Sequence, residues 1–283
     1  MSAYRFCRTD DIALLVDALN RCWLPYVPGE PPATPAAFKR AIRDLQVWCS
    51  SCMVAFSGSD PIGVLIGAKR PSGTLVHKVA VHPDHRRQGH GRHLLTSLGS
   101  KLAILGPPRI VAEVPDTLAP ASELFDACGF EREAPLTDYV RESAKADAAG
   151  IAGRFEIPVT VDDLAANGLL EAPDAHAVCW ERSVEALRAR KDGMAGLAIA
   201  SDERIEACIL YIEGTQGTAD ILSMRSFVED GGCRLAHLLS RAGMTAWRFA
   251  KVHPAEVSNE CLETLGFRAA GLHWRYAARA QAN

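Results

Sequence analysis

Apolar positions along this chain fall into two rhythms, and the order of those rhythms comes round twice. Near the start, F6-C-R-T-D-D-I-A-L-L-V16 gives a short strand, then acidic residues capping a run with helical spacing. Helices are expected over 11–20 and 35–45. V54-A-F-S-G-S-D-P-I-G-V-L-I-G67 reads as two apolar strands joined by a tight polar turn. The pattern continues with a strand at 75–82, a helix at 90–104, a strand at 109–114, a helix at 119–128 and a last strand near 130–140. This alternation predicts an α/β layer fold (α+β in its mixing) with a mixed, mostly antiparallel sheet flanked by helices.

The second half repeats the order. V159-T-V-D-D-L164 matches the opening strand and cap, and L197-A-I-A-S-D-E-R-I-E-A-C-I-L-Y211 matches the hairpin. L262-E-T-L-G-F267 matches L124-F-D-A-C-G-F130 with one residue fewer, each a helix stopped by glycine before a strand opening on phenylalanine. A repeat this long points to a duplicated domain, not a solenoid. Between the copies, R141-E-S-A-K-A-D-A-A-G-I-A-G-R154 holds small and charged residues with Ile151 as its one large apolar side chain. The expected division is therefore a domain over 1–142, a linker over 143–154 and a second domain over 155–283.

Charge narrows the function. A formal net charge of −3 argues against a general nucleic-acid or membrane-surface binder. The opening MSAYRFCRTDD has no apolar signal core and no run approaches a membrane span, which leads to a cytoplasmic expectation. The nine cysteines are scattered and odd in number. Cys49-Ser-Ser-Cys52 has redox-like spacing but no second pair and sits at a strand entrance, so it is read as reduced thiols, with no metal.

The chemistry gathers in V79-A-V-H-P-D-H-R-R-Q-G-H-G-R-H-L-L95. A strand runs into a turn, and a helix begins near His90 or Gly91. The first amides of a helix lack partners within it, and its dipole makes that end attractive to anions. Gly89 and Gly91 carry no side chain to hold an anion off, and Arg86, Arg87 and Arg92 add positive charge. The physical reading is a pyrophosphate seat, without the spacing of a Walker loop or of a dinucleotide fingerprint.

This stretch resembles motif A of the GNAT superfamily of acyl-CoA-dependent N-acetyltransferases, with its [RQ]-x-x-G-x-[GA] core at Arg86 to Gly91. L124-F-D-A-C-G-F130 is similar to motif B, and I110-V-A-E-V114 is the strand between them. The resemblance covers 4–140 and extends by weaker pattern into the second half, as a tandem GNAT arrangement. It implies that amides of Arg87, Gln88, Gly89, His90, Gly91 and Arg92, with Arg86, hold the pyrophosphate of acetyl-CoA. It also implies that Val79, Ala80 and Val81 splay from their neighbour to pair with the pantetheine arm, the Val79 amide facing the thioester carbonyl. A neutral amine, on a small molecule or a protein, then attacks directly.

The sequence departs from the family at two points. The motif B tyrosine that protonates the leaving thiolate corresponds to Phe125, and the asparagine before that helix to Leu118. Glu113 stands where many members carry a general base, and Tyr139 on the last strand is a candidate for the missing acid. Each also has a structural reading, as a surface carboxylate and a half-buried strand tyrosine. Cys22, Trp23 and Tyr26 fall in the region that shapes the acceptor pocket in the family. His77, His82, His85, His90 and His93 span a strand, a turn and a helix and are read as solvated or CoA-adjacent, not as a metal site.

In the second half, I221-L-S-M-R-S-F-V-E-D-G-G-C-R-L-A-H-L-L239 keeps strand and helix but puts Glu229 and Asp230 before Gly231-Gly232. Carboxylates there would repel a pyrophosphate, so one CoA site is expected, in the first copy. The expected activity is N-acetyl transfer; a CoA-binding sensor or structural module without turnover is the alternative. Monomer and homodimer are both open.

Overall fold

The computed structural model describes residues 2–142, 153–171 and 178–281. Most of the expected linker, residues 143–152, lies outside the described residues. Contacts divide the chain into two compact units, the first of Met1–Ala134 with Trp274–Asn283 and the second of Pro135–His273.

The first unit opens with β1 (Ser2–Phe6), α1 (Ile12–Cys22) and α2 (Pro35–Leu45). Thr34 accepts from the Ala37 amide and Pro35 follows it, two features that start a helix. Next come β2 (Met53–Ser57), β3 (Asp60–Arg70) and β4 (Gly73–Val81), an antiparallel meander. α3 (His90–Leu105), β5 (Arg109–Pro115), α4 (Ala119–Ala127) and β6 (Glu131–Glu142) complete the first half of the sequence. The expected elements are all present, within a few residues of their predicted ends.

The second half supplies β7 (Phe155–Pro158), α5 (Val161–Ala166), α6 (Val184–Ala189), β8 (Ala195–Ala200) and β9 (Ile205–Glu213). It continues with β10 (Thr218–Ser226), α7 (Cys233–Arg241), β11 (Ala246–Val252), α8 (Asn259–Thr264) and β12 (Arg268–Arg279).

The strand order shows where the units depart from the expected division at 142 and 155. In the first unit the sheet runs β1-β2-β3-β4-β5 and is continued beyond β5 by the end of β12, not by β6. In the second it runs β6-β11-β10-β9-β8-β7. β6 pairs antiparallel with β11, Tyr139 opposite Phe249 and Trp247 opposite Arg141. The first half of the sequence thus delivers most of its last strand, and the second half the final half of its own, to the unit built by the other half.

The exchanged segments are core. Tyr276 is fully buried in the first unit and stacks on Phe125 at 5.6 Å, and Arg132 Nε donates to its hydroxyl at 2.7 Å. Trp274 Nε1 donates to Asp116 Oδ1 at 2.9 Å, beyond the end of β5, and the Ala280 amide donates to the Pro108 carbonyl. The core around them joins Leu94, Leu98 and Leu102 of α3 to Ile110, Ala112 and Val114 of β5. In the second unit Tyr139 takes the matching place, buried with Phe249, Leu262 and Trp247.

Candidate active site

The site begins where two parallel strands part. β4 and β5 pair through Thr74–Ile110, Leu75–Val111 and Val76–Ala112, after which each strand continues without the other. At the same point the register of β4 with β3 shifts between Ile66 and Gly67, leaving His77 as an extra residue. His77 and Glu113 are the first residues past the last β4–β5 pair. The alternation along β5 buries Ile110, Ala112 and Val114 and leaves Glu113 half-buried on the opposite face.

The parted edge of β4 has a defined chemistry. The His82 amide donates to the Ile62 carbonyl at 2.8 Å, so the carbonyl on the other side of that planar peptide, Val81 O, points away from β3. Alternation along an antiparallel ladder then aims the N–H and C=O of Val79 and Val81 into the opening, and those of Ala80 toward β3. Of the three residues expected to meet a pantetheine arm, two offer backbone groups and Ala80 only its small side chain.

The turn after β4 ends in Gly89, which is left-handed at φ 85° and caps α3 with no side-chain hydrogen bond. No described residue accepts from the amides of Arg87, Gln88, Gly89, His90, Gly91 or Arg92. A Cβ at Gly89 would meet nothing within 4 Å, so that face of the turn is open. Gly91 has a different role: a Cβ there would press on Leu124 at 3.1 Å, so this glycine lets α4 pack against α3.

The arginines of the turn diverge. Arg87, itself left-handed at φ 61°, meets Glu123 of α4 at 3.5 Å in an exposed pair. Arg86 turns toward Tyr26, its guanidinium 4.3 Å from the ring centre and its Nε donating to the phenol oxygen at 2.5 Å. The Tyr26 hydroxyl in turn donates to Val81 O at 2.5 Å. The His90 ring points inward, buried, with Nδ1 2.6 Å from the Tyr4 hydroxyl. Burial, with His85 and His93 nearby, lowers its pKa and favours the neutral ring.

Beside Tyr26, the segment between α1 and α2 is tied down. Asn20 exchanges two hydrogen bonds with the Ala33 backbone, and Glu30 accepts from Lys78 Nζ at 2.8 Å and from Trp23 Nε1 at 2.9 Å. Burial pushes the Glu30 carboxyl up, but these two donors outweigh it and the net shift is down. Cys22 is buried, and its thiol donates to Pro61 O.

Tyr139 stands elsewhere. It belongs to the second unit, 4 % exposed, and donates to Asn259 Oδ1 at 2.7 Å. It lies in the part of β6 that pairs with β11 in that unit. Phe125 is buried against Phe130 and Tyr276. Cys7, Cys49 and Cys52 are buried free thiols; burial raises all three pKa values, Cys7 to about 12. Among the described residues no three His, Cys, Asp or Glu side chains are placed to hold a metal ion.

The second unit has the same backbone and a different occupant. β10 and β11 also part after three parallel pairs, and Gly232 caps α7 at φ 85°. Counted back from the two capping glycines, Asp230 stands where Arg87 stands in the first turn. Its carboxylate accepts from the Gly232 amide at 3.0 Å, the Arg234 amide at 2.9 Å and Arg234 Nη1 at 2.8 Å. Burial works to raise its pKa, but the Arg234 side chain and the two amides hold it below the ordinary aspartate value. Arg234 is also bonded to Glu206, which pairs with Arg154.

Past the last β10–β11 pair, the carbonyls of Ala250 and Lys251 accept from the buried Arg182, whose charge is matched by Glu256 at 2.5 Å. Sequence reading missed Arg182: an arginine in a short turn gives no signal of burial.

Comparison with known proteins bears on the fold. Residues 48–132 match the family model of the acetyltransferase (GNAT) domain. No curated protein matches the sequence. Among solved structures, the fold resembles a tandem GNAT protein from the clavulanic acid biosynthesis pathway, at 16 % identity and TM-score 0.66, covering 100 % of both chains. It also resembles a GCN5-related N-acetyltransferase from Sphaerobacter thermophilus, at 13 % identity and TM-score 0.70, covering 99 % of this chain and 96 % of that one. A third resemblance is to a putative acetyltransferase from Pyrococcus horikoshii, at 14 % identity and TM-score 0.59, covering 99 % and 90 %.

Proposed function

From the premise that this chain is a tandem GNAT-fold protein whose first unit carries a GNAT acetyltransferase domain, we propose that it is an acetyl-CoA-dependent N-acetyltransferase with one working site. The carrying observation is the combination in the first unit of unpartnered turn amides and a parted β4 edge. The amides from Arg87 to Arg92 suit a pyrophosphate, with Arg92 and Arg87 adding charge, while the Arg86 amide is taken by Pro83 O and its side chain by Tyr26. The Val79 and Val81 groups suit the amides of a pantetheine arm. Acetyl-CoA supplies the activated acyl group; the residues do the rest.

In this reading the Val79 amide donates to the thioester oxygen as charge grows there, a preorganised donor that costs nothing to orient during reaction. Glu113, just past the last β4–β5 pair, takes a proton from the incoming amine, directly or through water. The acceptor enters beside Trp23, Tyr26 and Glu30 and is an amine of a small molecule or a protein. No described helix is long and apolar enough to cross a membrane. Nine free thiols favour a reducing compartment, and we place the protein in the cytoplasm.

The experiment is thiol release from acetyl-CoA across a broad amine panel. Acceptor-dependent release supports the enzyme. The absence of a phenol at Phe125 favours one second reading, a CoA-binding sensor, and tight CoA binding with no release for any amine would establish that instead.

A further inference from the structure

Acetyl transfer leaves a thiolate that must gain a proton, and the phenol that the family resemblance expects on α4 is replaced by the buried ring of Phe125. Resting on the acetyltransferase reading, we propose that Tyr26 is the general acid of the first unit and that Arg86 holds its phenolate. The chain has five tyrosines, and their placement separates them. Tyr139 and Tyr211 belong to the second unit. Tyr276 is fully buried under Arg132, and the Tyr4 hydroxyl is held by His90. Tyr26 is partly exposed, and its hydroxyl lies on the parted edge of β4, bonded to Val81 O.

Val81 and Val79 point the same way along that edge, two residues or roughly 6.6 Å apart. The phenol is therefore on the same open edge as the amide assigned to the thioester oxygen. Arg86 Nε donates to the phenol oxygen, and a guanidinium stays charged throughout the relevant pH range. A charge-assisted hydrogen bond of this kind stabilises the phenolate that proton transfer creates.

The step balances. The amine nitrogen bonds to the acetyl carbon, the carbon–sulfur bond breaks, and sulfur leaves with the bonding pair. The Tyr26 O–H proton passes to sulfur, leaving phenolate against Arg86. The proton lost by the new amide nitrogen goes to Glu113 or solvent, and Tyr26 regains one from solvent.

The test is Tyr26→Phe, compared on acetyl-CoA and on its selenium analogue, whose selenolate leaves without needing a proton. With acetyl-CoA, kcat should fall roughly 10²-fold or more, with the KM for acetyl-CoA within about twofold. With the selenoester most of that deficit should vanish; a deficit of equal size for both donors would overturn the proposal. A second readout needs no turnover. The Tyr26 ring carbon bearing the hydroxyl, assigned by its loss in Tyr26→Phe, should shift in ¹³C NMR with CoA in a way desulfo-CoA does not reproduce. Identical responses to the two ligands would refute the role of Tyr26 even in a protein that turned over no amine. A wild-type protein inert with every amine would instead count against the acetyltransferase reading.

Discussion

Helices α3 and α7 begin in the same way and end up with different chemistry. Both are capped by a left-handed glycine at φ 85°, both follow a strand that has just parted from its parallel neighbour, and both present free first-turn amides by construction. At α3 no described residue takes those amides; at α7 the Asp230 carboxylate takes two of them. One position, arginine in the first turn and aspartate in the second, separates the open helix start from the one filled from within. The second unit has an anion at that seat already, covalently attached and paired with Arg234. The helix start and the strand parting are therefore common to both units while the contents of the turn differ, and in the second the Ala250 and Lys251 carbonyls accept from Arg182.

The sharpest way to break the contrast is to give α3 the anion that α7 has. In Gly89→Asp the new side chain enters the open face of the turn, and a carboxylate a few ångströms from a phosphate costs about 1–4 kcal/mol per charge pair. The left-handed backbone adds strain for any residue with a Cβ. Acetyl-CoA affinity by calorimetry should fall by roughly 10²-fold or more; an unchanged affinity would remove the turn from the site.

The next effect concerns what holds the open unit together. Tyr276→Ala deletes a fully buried ring stacked on Phe125, and such truncations cost about 3–5 kcal/mol. Although it lies in β12, this variant should destabilise the first unit. Hydrogen exchange should show protection lost in α3, α4 and β5; loss confined to β7–β11 would contradict the exchanged-strand assignment.

In the second unit, Asp230→Asn removes the charge from the α7 seat and should cost up to about 2 kcal/mol, the upper range for a partly buried charge at a helix end. The sign with pH follows from its lowered folded-state pKa. The stabilisation is complete above the unfolded aspartate value, about 3.9, and is lost as pH falls through the lower folded value. Denaturation from pH 7 to pH 2 should show the gap between wild type and Asp230→Asn closing at the acid end. A gap that widens there would mean the carboxylate is not held in its charged form.

The smallest effect is Arg87→Ala. Its contact with Glu123 is exposed, and such pairs contribute about 0–1 kcal/mol. Its charge near the seat adds a similar amount, so acetyl-CoA affinity should drop less than about tenfold. A larger loss would make side-chain charge, not the amides, the dominant contact.

Much of this contrast was legible in the chain itself. The glycine positions and the charge reversal between R86-R-Q-G and E229-D-G-G predict a seat in the first half and its loss in the second, and the apolar rhythm locates nearly every strand and helix. The pairing partner of a strand is different: β6 and β12 are both alternating apolar strands that satisfy either sheet equally, so periodicity gives their existence and not their destination. That is why Tyr139, placed by sequence order beside the first site, belongs to the second unit, and why Tyr276 completes the first. Asp230 was readable as repulsion; its capture of the Gly232 and Arg234 amides required the turn's geometry. The family resemblance placed Tyr26 in a region that shapes the acceptor pocket in other members, while its bond to Val81 O depends on which carbonyls the register turns outward.

The central claim is that one seat is open and the other filled from within. Calorimetric titration of the full-length protein with acetyl-CoA, run beside Asp230→Asn, tests it most directly. The account predicts one site per chain in the wild type and no second site in the variant, because Arg182 and Glu256 still occupy the parted strand. Two sites of similar affinity in the wild type would contradict it.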